Sequence, residues 1–259
     1  MKYLFIFSLF LILQSCSESK ISVNADEIAQ DSLILDSHID VPYRLWSQHL
    51  EGLEIDDISG PTNGDFDFIR ARKGGLNVPF FSIYLPASTE EDGTSHKMAN
   101  DLIDMVEDIV TLYPEKFLLI KSVDDLSSLT NKNIVGIALG MENGAPIQGD
   151  LSRVEYYYER GIRYITLTHS KSNHISDSSY DENIQWHGLS EFGKTLIEEM
   201  NRVGIMIDIS HVNDEAFYQA IELSQVPVIA SHSSLRHFTP GFERNVDDAM
   251  LNKLAEKGG

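Results

Sequence analysis

Five residues in this sequence have the side chains of a metal site: three histidines, one aspartate and one glutamate. They are His38, Asp40, Glu142, His211 and His232. Imidazole nitrogens and carboxylate oxygens are donors for divalent ions in proteins, and zinc is the ion that this set favours. If the strands that carry them converge, the predicted chemistry is that of a two-metal hydrolase. In such a site two ions about 4 Å apart share a hydroxide that attacks an amide or ester carbonyl.

The positions of these residues predict how they divide between two ions. His38 and Asp40 are separated by one residue, so on a strand both side chains would face the same way and serve one ion. Glu142 follows an apolar run, and its two oxygens suit a bridge between ions. His211 and His232 each follow an apolar run and suit the second ion as terminal ligands. A single histidine of this kind is more often a core residue, so the prediction rests on the whole set.

Two further polar residues are candidates for binding the substrate. His169 ends the apolar run 163–169 and could be a ligand, but with five others present we interpret it as a donor to the oxyanion that develops on the substrate carbonyl. Arg244 can clamp a substrate carboxylate through two N–H groups. The alternative for Arg244 is a surface ion pair with Glu243 or Asp247.

The elements that must position these residues alternate between short apolar strands and amphipathic helices. Strands are predicted at 32–36, 76–85, 134–139, 164–168, 205–209 and 226–230. Continuous apolar strands separated by helices are typical of a parallel sheet. Polar residues at the carboxyl ends of nearly all of these strands favour a (β/α)₈ TIM-type barrel over a doubly wound open sheet. Because about six strands are predicted where a barrel needs eight, we expect the barrel domain, residues 32–259, to be C-terminally incomplete.

The first residues have the features of an export signal. Lys2 precedes an apolar run over 3–13 that is short for a membrane span, and Cys16 follows directly. We predict a bacterial lipoprotein signal over residues 1–16 with Cys16 acylated, then a polar tether over 17–31. The alternative is an ordinary signal peptide. The lipoprotein interpretation predicts an exported protein anchored to a membrane through the lipid, in the periplasm or at the cell surface.

Composition narrows the chemistry further. Cys16 is the only cysteine, so its acylation would leave the mature domain without a thiolate ligand, a cysteine nucleophile or a disulfide. The formal net charge of −20 argues against a nucleic-acid partner, which requires a basic surface. A homodimer is compatible with the sequence.

Several motifs together resemble the membrane (renal-type) dipeptidases, peptidase family M19. The matching strings are DSHIDVP at 36–42, GMENG at 140–144, GIRYITLTH at 161–169, IDISHV at 207–212, PVIASHSS at 227–234 and RNVDD at 244–248. Their order and spacing agree with the family from about residue 33 to the end of the chain.

This resemblance implies a (β/α)₈ barrel with two zinc ions bridged by Glu142. The ligands it implies are His38, Asp40 and Glu142 for one zinc, and Glu142, His211 and His232 for the other. Glu142 and His169 would act in catalysis, and His169 and Arg244 would bind the substrate. The implied reaction is hydrolysis of dipeptides of the form L-Xaa-L-Xaa or L-Xaa-D-Xaa by a metal-bridging hydroxide.

One departure from the family and two alternatives remain open. A further catalytic aspartate of the family, in a Gly-x-Asp-x-Asp-Gly-like motif, is expected beyond Gly259 and is absent here. The first alternative is another metal-dependent amidohydrolase, although many of these use a carboxylated lysine where this sequence has Glu142. The second is an inactive lipoprotein that binds metal or peptide.

Overall fold

The computed structural model describes residues 24–129 and 133–259, which form a parallel sheet packed against helices. The strands are β1 (Ile34–Ile39), β2 (Leu76–Tyr84), β3 (Phe117–Leu119), β4 (Val135–Glu142), β5 (Ile162–Thr166) and β6 (Met206–Asp208). The helices are α1 (Ala25–Asp31), α2 (Val41–Leu50), α3 (Phe68–Gly74), α4 (Ser88–Glu91), α5 (Ser95–Leu112), α6 (Ser152–Arg160), α7 (Glu191–Val203), α8 (Asp214–Leu223) and α9 (Asp248–Glu256). Short 3₁₀ helices span Val123–Leu129, Ala145–Ile147 and Arg236–Phe238.

All strand pairings in the sheet are parallel, and the strand order is β1-β2-β4-β5-β6 with β3 paired to β4. Every residue of β4 is buried, as expected for a strand with neighbours on both edges. An isolated parallel bridge between Asp208 and Ile229 continues the order beyond β6. The predicted α/β fold is confirmed, and the parallel strands form half of a TIM-type barrel.

Successive residues of the strands pack on opposite faces of this half-barrel. Phe81 belongs to the large cluster between the sheet and the helices, whereas its neighbour Phe80 belongs to a smaller cluster with Val78, Ala138 and Tyr164. This alternation follows from the two-residue period of a strand. Tyr164 therefore lies on the face opposite the helices.

Two glycines end the helices that precede β5 and β6. Gly161 after α6 and Gly204 after α7 have φ values of 109° and 95°, a left-handed conformation that glycine adopts without strain. Ser190 begins α7 by accepting a hydrogen bond from the backbone N–H of Gly193. These helix ends fix where β5 and β6 begin, and hence where the residues after them lie.

The structure differs from the predicted elements in three places. The predicted strand at 226–230 is reduced to the bridge at Ile229, and the short strand β3 was not predicted. Part of the predicted tether forms α1, whose Gln30 side chain donates to the carbonyls of Arg72 and Lys73. The predicted signal with Cys16, and the tether up to residue 23, lie outside the described residues. In the described part of the chain, no helix has the length and apolar character needed to cross a membrane.

Candidate metal centre

The candidate ligands lie at one edge of the sheet, where the parallel strands reach their carboxyl ends. His38 is the second-to-last residue of β1, and Glu142 is the last residue of β4. His169 follows the end of β5, His211 follows β6, and His232 follows the bridged residue at 229. Since the strands run in the same direction, their carboxyl ends bring these side chains to the same side of the molecule.

Glu142 lies at the centre of the cluster, and its two oxygens face different neighbours. Oε1 is 2.9 Å from Nε2 of His211 and 3.1 Å from Nε2 of His232. Oε2 is 3.3 Å from Nε2 of His38 and accepts a hydrogen bond of 3.2 Å from the Ser82 hydroxyl. The side chain of Glu142 is only 5% exposed, so this carboxylate contacts protein groups and almost no solvent. A carboxylate with both oxygens engaged on separate sides has the geometry that a bridging ligand needs.

His169 joins the same cluster, although its predicted role was in substrate binding. Its Nε2 is 3.6 Å from Oε1 of Glu142, and its ring lies 4.2 Å from that of His211. Two groups have potential ligand atoms within 4.8 Å of one another: His38 with Glu142 and His232, and Glu142 with His169 and His211. The sequence had paired His211 with His232 instead. The side-chain positions therefore make His169 a candidate ligand as well as a candidate substrate contact.

Asp40 reaches the cluster by a different route from the predicted one. β1 ends at Ile39, and Asp40 is the residue before the first turn of α2, with φ −91° and ψ 35°. Its side chain is 58% exposed, and Oδ1 lies 3.4 Å from Nε2 of His38. The two side chains thus approach each other, but a strand-to-helix turn and not strand alternation brings them together.

The pKa values of two candidate ligand histidines shift in opposite directions. Burial alone would lower the pKa of His38, but hydrogen bonds to Asp40 and Glu142 raise it to about 9. Burial, together with the nearby charge of Arg244, lowers the pKa of His211 to about 4 against the opposing effect of Glu142. Burial likewise opposes ionisation of Glu142, but the hydrogen bonds from the surrounding histidines hold its pKa far below the ordinary value. The centre thus contains an ionised carboxylate among imidazoles of unequal basicity.

Arg244 points into the cluster, not towards the surface. Only 8% of its surface is exposed, and Nη2 donates to the backbone carbonyl of His232 at 3.1 Å. Its guanidinium lies against the ring of His211, with Nε 3.1 Å from Nδ1. Among the described residues it forms no ion pair with Glu243 or Asp247, the alternative that the sequence left open. A buried guanidinium beside candidate ligands is placed to meet an anionic group of a bound molecule.

The sequence did not identify the residues that contact Nδ1 of His38 and of His232, the ring nitrogen that faces away from Glu142. Nδ1 of His38 lies 2.7 Å from the Tyr164 hydroxyl, and Nδ1 of His232 lies 2.7 Å from the Ser231 hydroxyl. A polar residue facing inward from an apolar strand was the signal that could have identified Tyr164. Nδ1 of His169 is buried and has no hydrogen-bond partner among the described residues.

Backbone strain is concentrated beside the ligands. His211 has a φ of 72°, and Asn143, which follows Glu142, has a φ of 77°. Non-glycine residues in this left-handed region cost on the order of 1–3 kcal/mol and cluster at functional sites. Asn143 is held there by its side chain, which donates to the carbonyl of Leu85 and accepts from the amide of Asn173.

The donor set fits a divalent cation. Nε2 of His211 and Nε2 of His232 lie 2.8 Å apart, and Oε1 of Glu142 lies within 3.1 Å of both. Three potential ligand atoms converge here, and their spacing suits one bound cation. Donors around a tetrahedral zinc ion lie about 3.3 Å from each other, close to the spacing observed.

Comparisons with known proteins point to one family. The family described as Membrane dipeptidase (Peptidase family M19) matches residues 23–259. Dipeptidase 3 of Mus musculus is 31% identical over 249 residues, which cover 94% of this chain and 49% of that protein. The chain spans about half the length of the curated relatives it matches.

Two solved structures share the fold. A probable dipeptidase, PvdM, from Pseudomonas aeruginosa superposes with a TM-score of 0.79 at 25% identity, covering 91% of this chain and 60% of that one. A metallo peptidase from Rhodobacter sphaeroides, solved with a phosphinate mimic of the dipeptide L-Ala-D-Ala, gives a TM-score of 0.76 at 22% identity, covering 88% and 72% of the two chains. The second similarity establishes the fold alone.

Proposed function

This chain belongs to the membrane dipeptidase family, peptidase family M19, and on that basis we propose that it is a zinc-dependent dipeptidase. We propose two zinc ions per chain and dipeptides of the form L-Xaa-L-Xaa or L-Xaa-D-Xaa as substrates. The proposed ligands are His38, Asp40 and Glu142 for one zinc, and Glu142, His211 and His232 for the other.

One observation carries this proposal. Three imidazole nitrogens, from His38, His211 and His232, lie 2.9–3.3 Å from the two oxygens of the single buried carboxylate Glu142. The residues come from positions spread along more than 190 residues of sequence, so their convergence is a property of the fold. Support for a dipeptide as substrate comes from the family and from the Rhodobacter sphaeroides neighbour, which was solved with a dipeptide mimic.

The residues of this chain divide the work of hydrolysis between them. When bound, two divalent ions activate a water molecule at neutral pH and polarise the scissile carbonyl. Arg244 holds the free carboxylate of the dipeptide, which limits the enzyme to short substrates whose C-terminus lies one residue from the scissile bond. His169 donates a hydrogen bond to the carbonyl oxygen as negative charge develops on it. Burial of Glu142 and His211 keeps bulk water from competing for the same donors.

The test measures metal content and turnover together. The purified chain is stripped with a chelator, reloaded with zinc and assayed with L-Ala-D-Ala and L-Ala-L-Ala, and E142Q is assayed as the matched variant. We expect about two zinc ions per chain and hydrolysis that the chelator abolishes and zinc restores. E142Q, which keeps the shape of the side chain but loses its charge, should lose both zinc and activity. Absence of chelator-sensitive hydrolysis of both dipeptides would contradict the proposal.

Two alternatives give different results in the same experiment. An inactive metal- and peptide-binding lipoprotein would bind zinc without turnover. Another type of amidohydrolase would hydrolyse cyclic amides and not dipeptides. In the described part of the chain, Glu142 is contacted by histidines and Ser82 and by no lysine, so the carboxylated lysine bridge of many amidohydrolases has no counterpart here.

We also propose that the protein is exported and anchored to a membrane by a lipid on Cys16. Two features of the sequence support this proposal. An apolar run precedes Cys16, and Cys16 is the only cysteine in the chain. Labelling cells that express the chain with a radioactive fatty acid tests the anchor. The label should appear in the wild-type protein and be absent from C16S, and a labelled C16S or an unlabelled wild type would contradict it.

A further inference from the structure

A buried carboxylate outside the ligand set lies two hydrogen bonds away from His232. Asp208, the last residue of β6, is fully buried and is not within contact distance of any candidate ligand side chain among the described residues. Its Oδ2 accepts hydrogen bonds from the hydroxyls of Thr166 and Ser231, each at 2.6 Å. Its Oδ1 accepts from the backbone N–H groups of Ser210 at 3.1 Å and Ser231 at 2.9 Å.

These four bonds make Asp208 an acceptor on every side. With both oxygens accepting hydrogen bonds, this carboxylate offers no donor to the Ser231 hydroxyl. The hydroxyl hydrogen of Ser231 is therefore committed to Asp208. What remains on the Ser231 oxygen is its lone pairs, which can only accept.

The Ser231 oxygen lies 2.7 Å from Nδ1 of His232. Because that oxygen can only accept, Nδ1 of His232 must carry the proton. The other ring nitrogen, Nε2, is then the one that a metal ion would use, and it is Nε2 that lies 3.1 Å from Oε1 of Glu142. A metal-ligating histidine requires this state, with one nitrogen free and the other donating to a fixed acceptor.

We propose that Asp208 is a positioning residue that sets the tautomer of His232 through the hydroxyl of Ser231, and thereby prepares Nε2 to bind a metal ion. The connection runs from the end of β6 to the segment after Ile229, which is joined to β6 by the single parallel bridge between Asp208 and Ile229. Asp208 thus holds the segment that carries His232 through its hydrogen bonds to Ser231, and through the same serine it orients the His232 ring. This inference rests on the proposed metal site, but the tautomer can be measured in the metal-free protein.

Three variants and a control separate the relay from general stability. S231A removes the hydroxyl that connects Asp208 to His232, whereas S231T keeps it. D208N keeps the shape of the carboxylate but introduces an amide donor, so the Ser231 hydroxyl is free to donate to Nδ1 instead, which moves the histidine proton to Nε2 and blocks the metal. S95A is the matched control, because the fully buried Ser95 hydroxyl donates to the carbonyl of Ala145, away from the ligands.

The first measurement is the tautomer of His232 in the metal-free protein, from the ¹⁵N chemical shifts of its ring nitrogens. We expect a proton on Nδ1 in the wild type, S231T and S95A, a mixture of tautomers in S231A, and a proton on Nε2 in D208N. The second measurement is zinc binding. Loss of an outer partner of a metal-bound histidine costs about 10–100-fold in affinity, so one of the two zinc equivalents should weaken by that factor in S231A and by at least as much in D208N.

The tautomer and zinc measurements together test the role of Asp208. If S231A binds zinc like the wild type and keeps its Nδ1 proton, the proposal is wrong. If D208N does not fold, S231A and S231T still decide it, because they change one hydroxyl each. If the wild-type chain binds no zinc but shows the Nδ1 proton in the wild type and its loss in S231A, the proposed function fails while the tautomer relay stands.

Discussion

The hydroxyl of Tyr164 lies 2.7 Å from Nδ1 of His38, so a buried tyrosine stands behind one of the candidate metal ligands. The same hydroxyl donates to the backbone carbonyl of Ser37 at 3.2 Å, which leaves its oxygen to accept from the imidazole. Nε2 of His38 faces Asp40 and Glu142. The ring of Tyr164 packs directly over residue 140, where a Cβ would overlap it, so only glycine fits there.

Removing the Tyr164 hydroxyl should weaken zinc binding more than it weakens the fold. In Y164F, we expect zinc affinity to fall about 10–100-fold, because His38 loses the acceptor that fixes its ring. Competition with a chromophoric chelator measures this affinity. The matched control is Y157F, since the fully buried Tyr157 hydroxyl lies 2.7 Å from Nδ1 of His96, which is not a candidate ligand. Equal zinc affinities in the two variants would refute the role of Tyr164.

Zinc binding should depend on pH through His38. The carboxylates of Asp40 and Glu142 outweigh burial and raise the pKa of His38 to about 9, so zinc must displace a proton at neutral pH. The apparent affinity should therefore rise about tenfold per pH unit up to about pH 9 and level off above it. His211, with a pKa of about 4, adds no dependence in that range.

The raised pKa of His38 also makes the free energy of unfolding depend on pH. A pKa raised on folding stabilises the metal-free fold fully below about pH 6.5, and this contribution is lost as the pH rises through 9. Titrating zinc affinity in metal buffers from pH 6.5 to 9.5 checks the first effect. D40N, which removes one of the carboxylates that raise the pKa, should move the levelling point to lower pH. A zinc affinity that is flat between pH 7 and 9 would show that His38 is neutral.

The role of His169 can be decided by metal content. If His169 contacts substrate, as we propose, H169A should retain about two zinc ions while kcat falls by about 10²–10³, the usual loss of one oxyanion donor. H232A, measured in parallel, should lose about one zinc ion, because it removes a ligand. Loss of zinc in H169A would instead make His169 a ligand, in agreement with its 3.6 Å distance from Glu142.

Arg244 should distinguish substrates with a free carboxylate from those without one. In R244M, we expect kcat/KM for a dipeptide to fall about 10²-fold, since a charge-assisted pair is worth roughly 2–3 kcal/mol. The C-terminal amide of the same dipeptide lacks the carboxylate, so its slower hydrolysis should be almost unchanged by the substitution. If R244M reduces both substrates equally, Arg244 supports the fold or the ring of His211 and does not bind the C-terminus.

The strand-end ligands show what could be predicted from one sequence. Glu142 and His211 follow continuous apolar runs, and parallel strands necessarily bring their carboxyl ends to one edge, so position along the chain was enough to bring these residues together. The same reasoning anticipated the helix ends at Gly161 and Gly204, because these depend on local conformation.

Other features depend on contacts that local patterns do not contain. Periodicity placed Asp40 on a strand, whereas the chain turns into α2 immediately after Ile39. The Tyr164–His38 contact joins residues 126 positions apart, and the entry of His169 into the ligand cluster depends on side-chain angles.

The sequence by itself determined which donors are present and at which strand ends they lie, because hydrophobic period and residue type are local properties of a chain. Only the tertiary structure decided which side chains stand behind them. Tyr164 reaches His38 and Asp208 reaches His232 because strands far apart in sequence pack side by side. That packing places a hydroxyl against Nδ1 of each of these two imidazoles and leaves Nε2 facing Glu142.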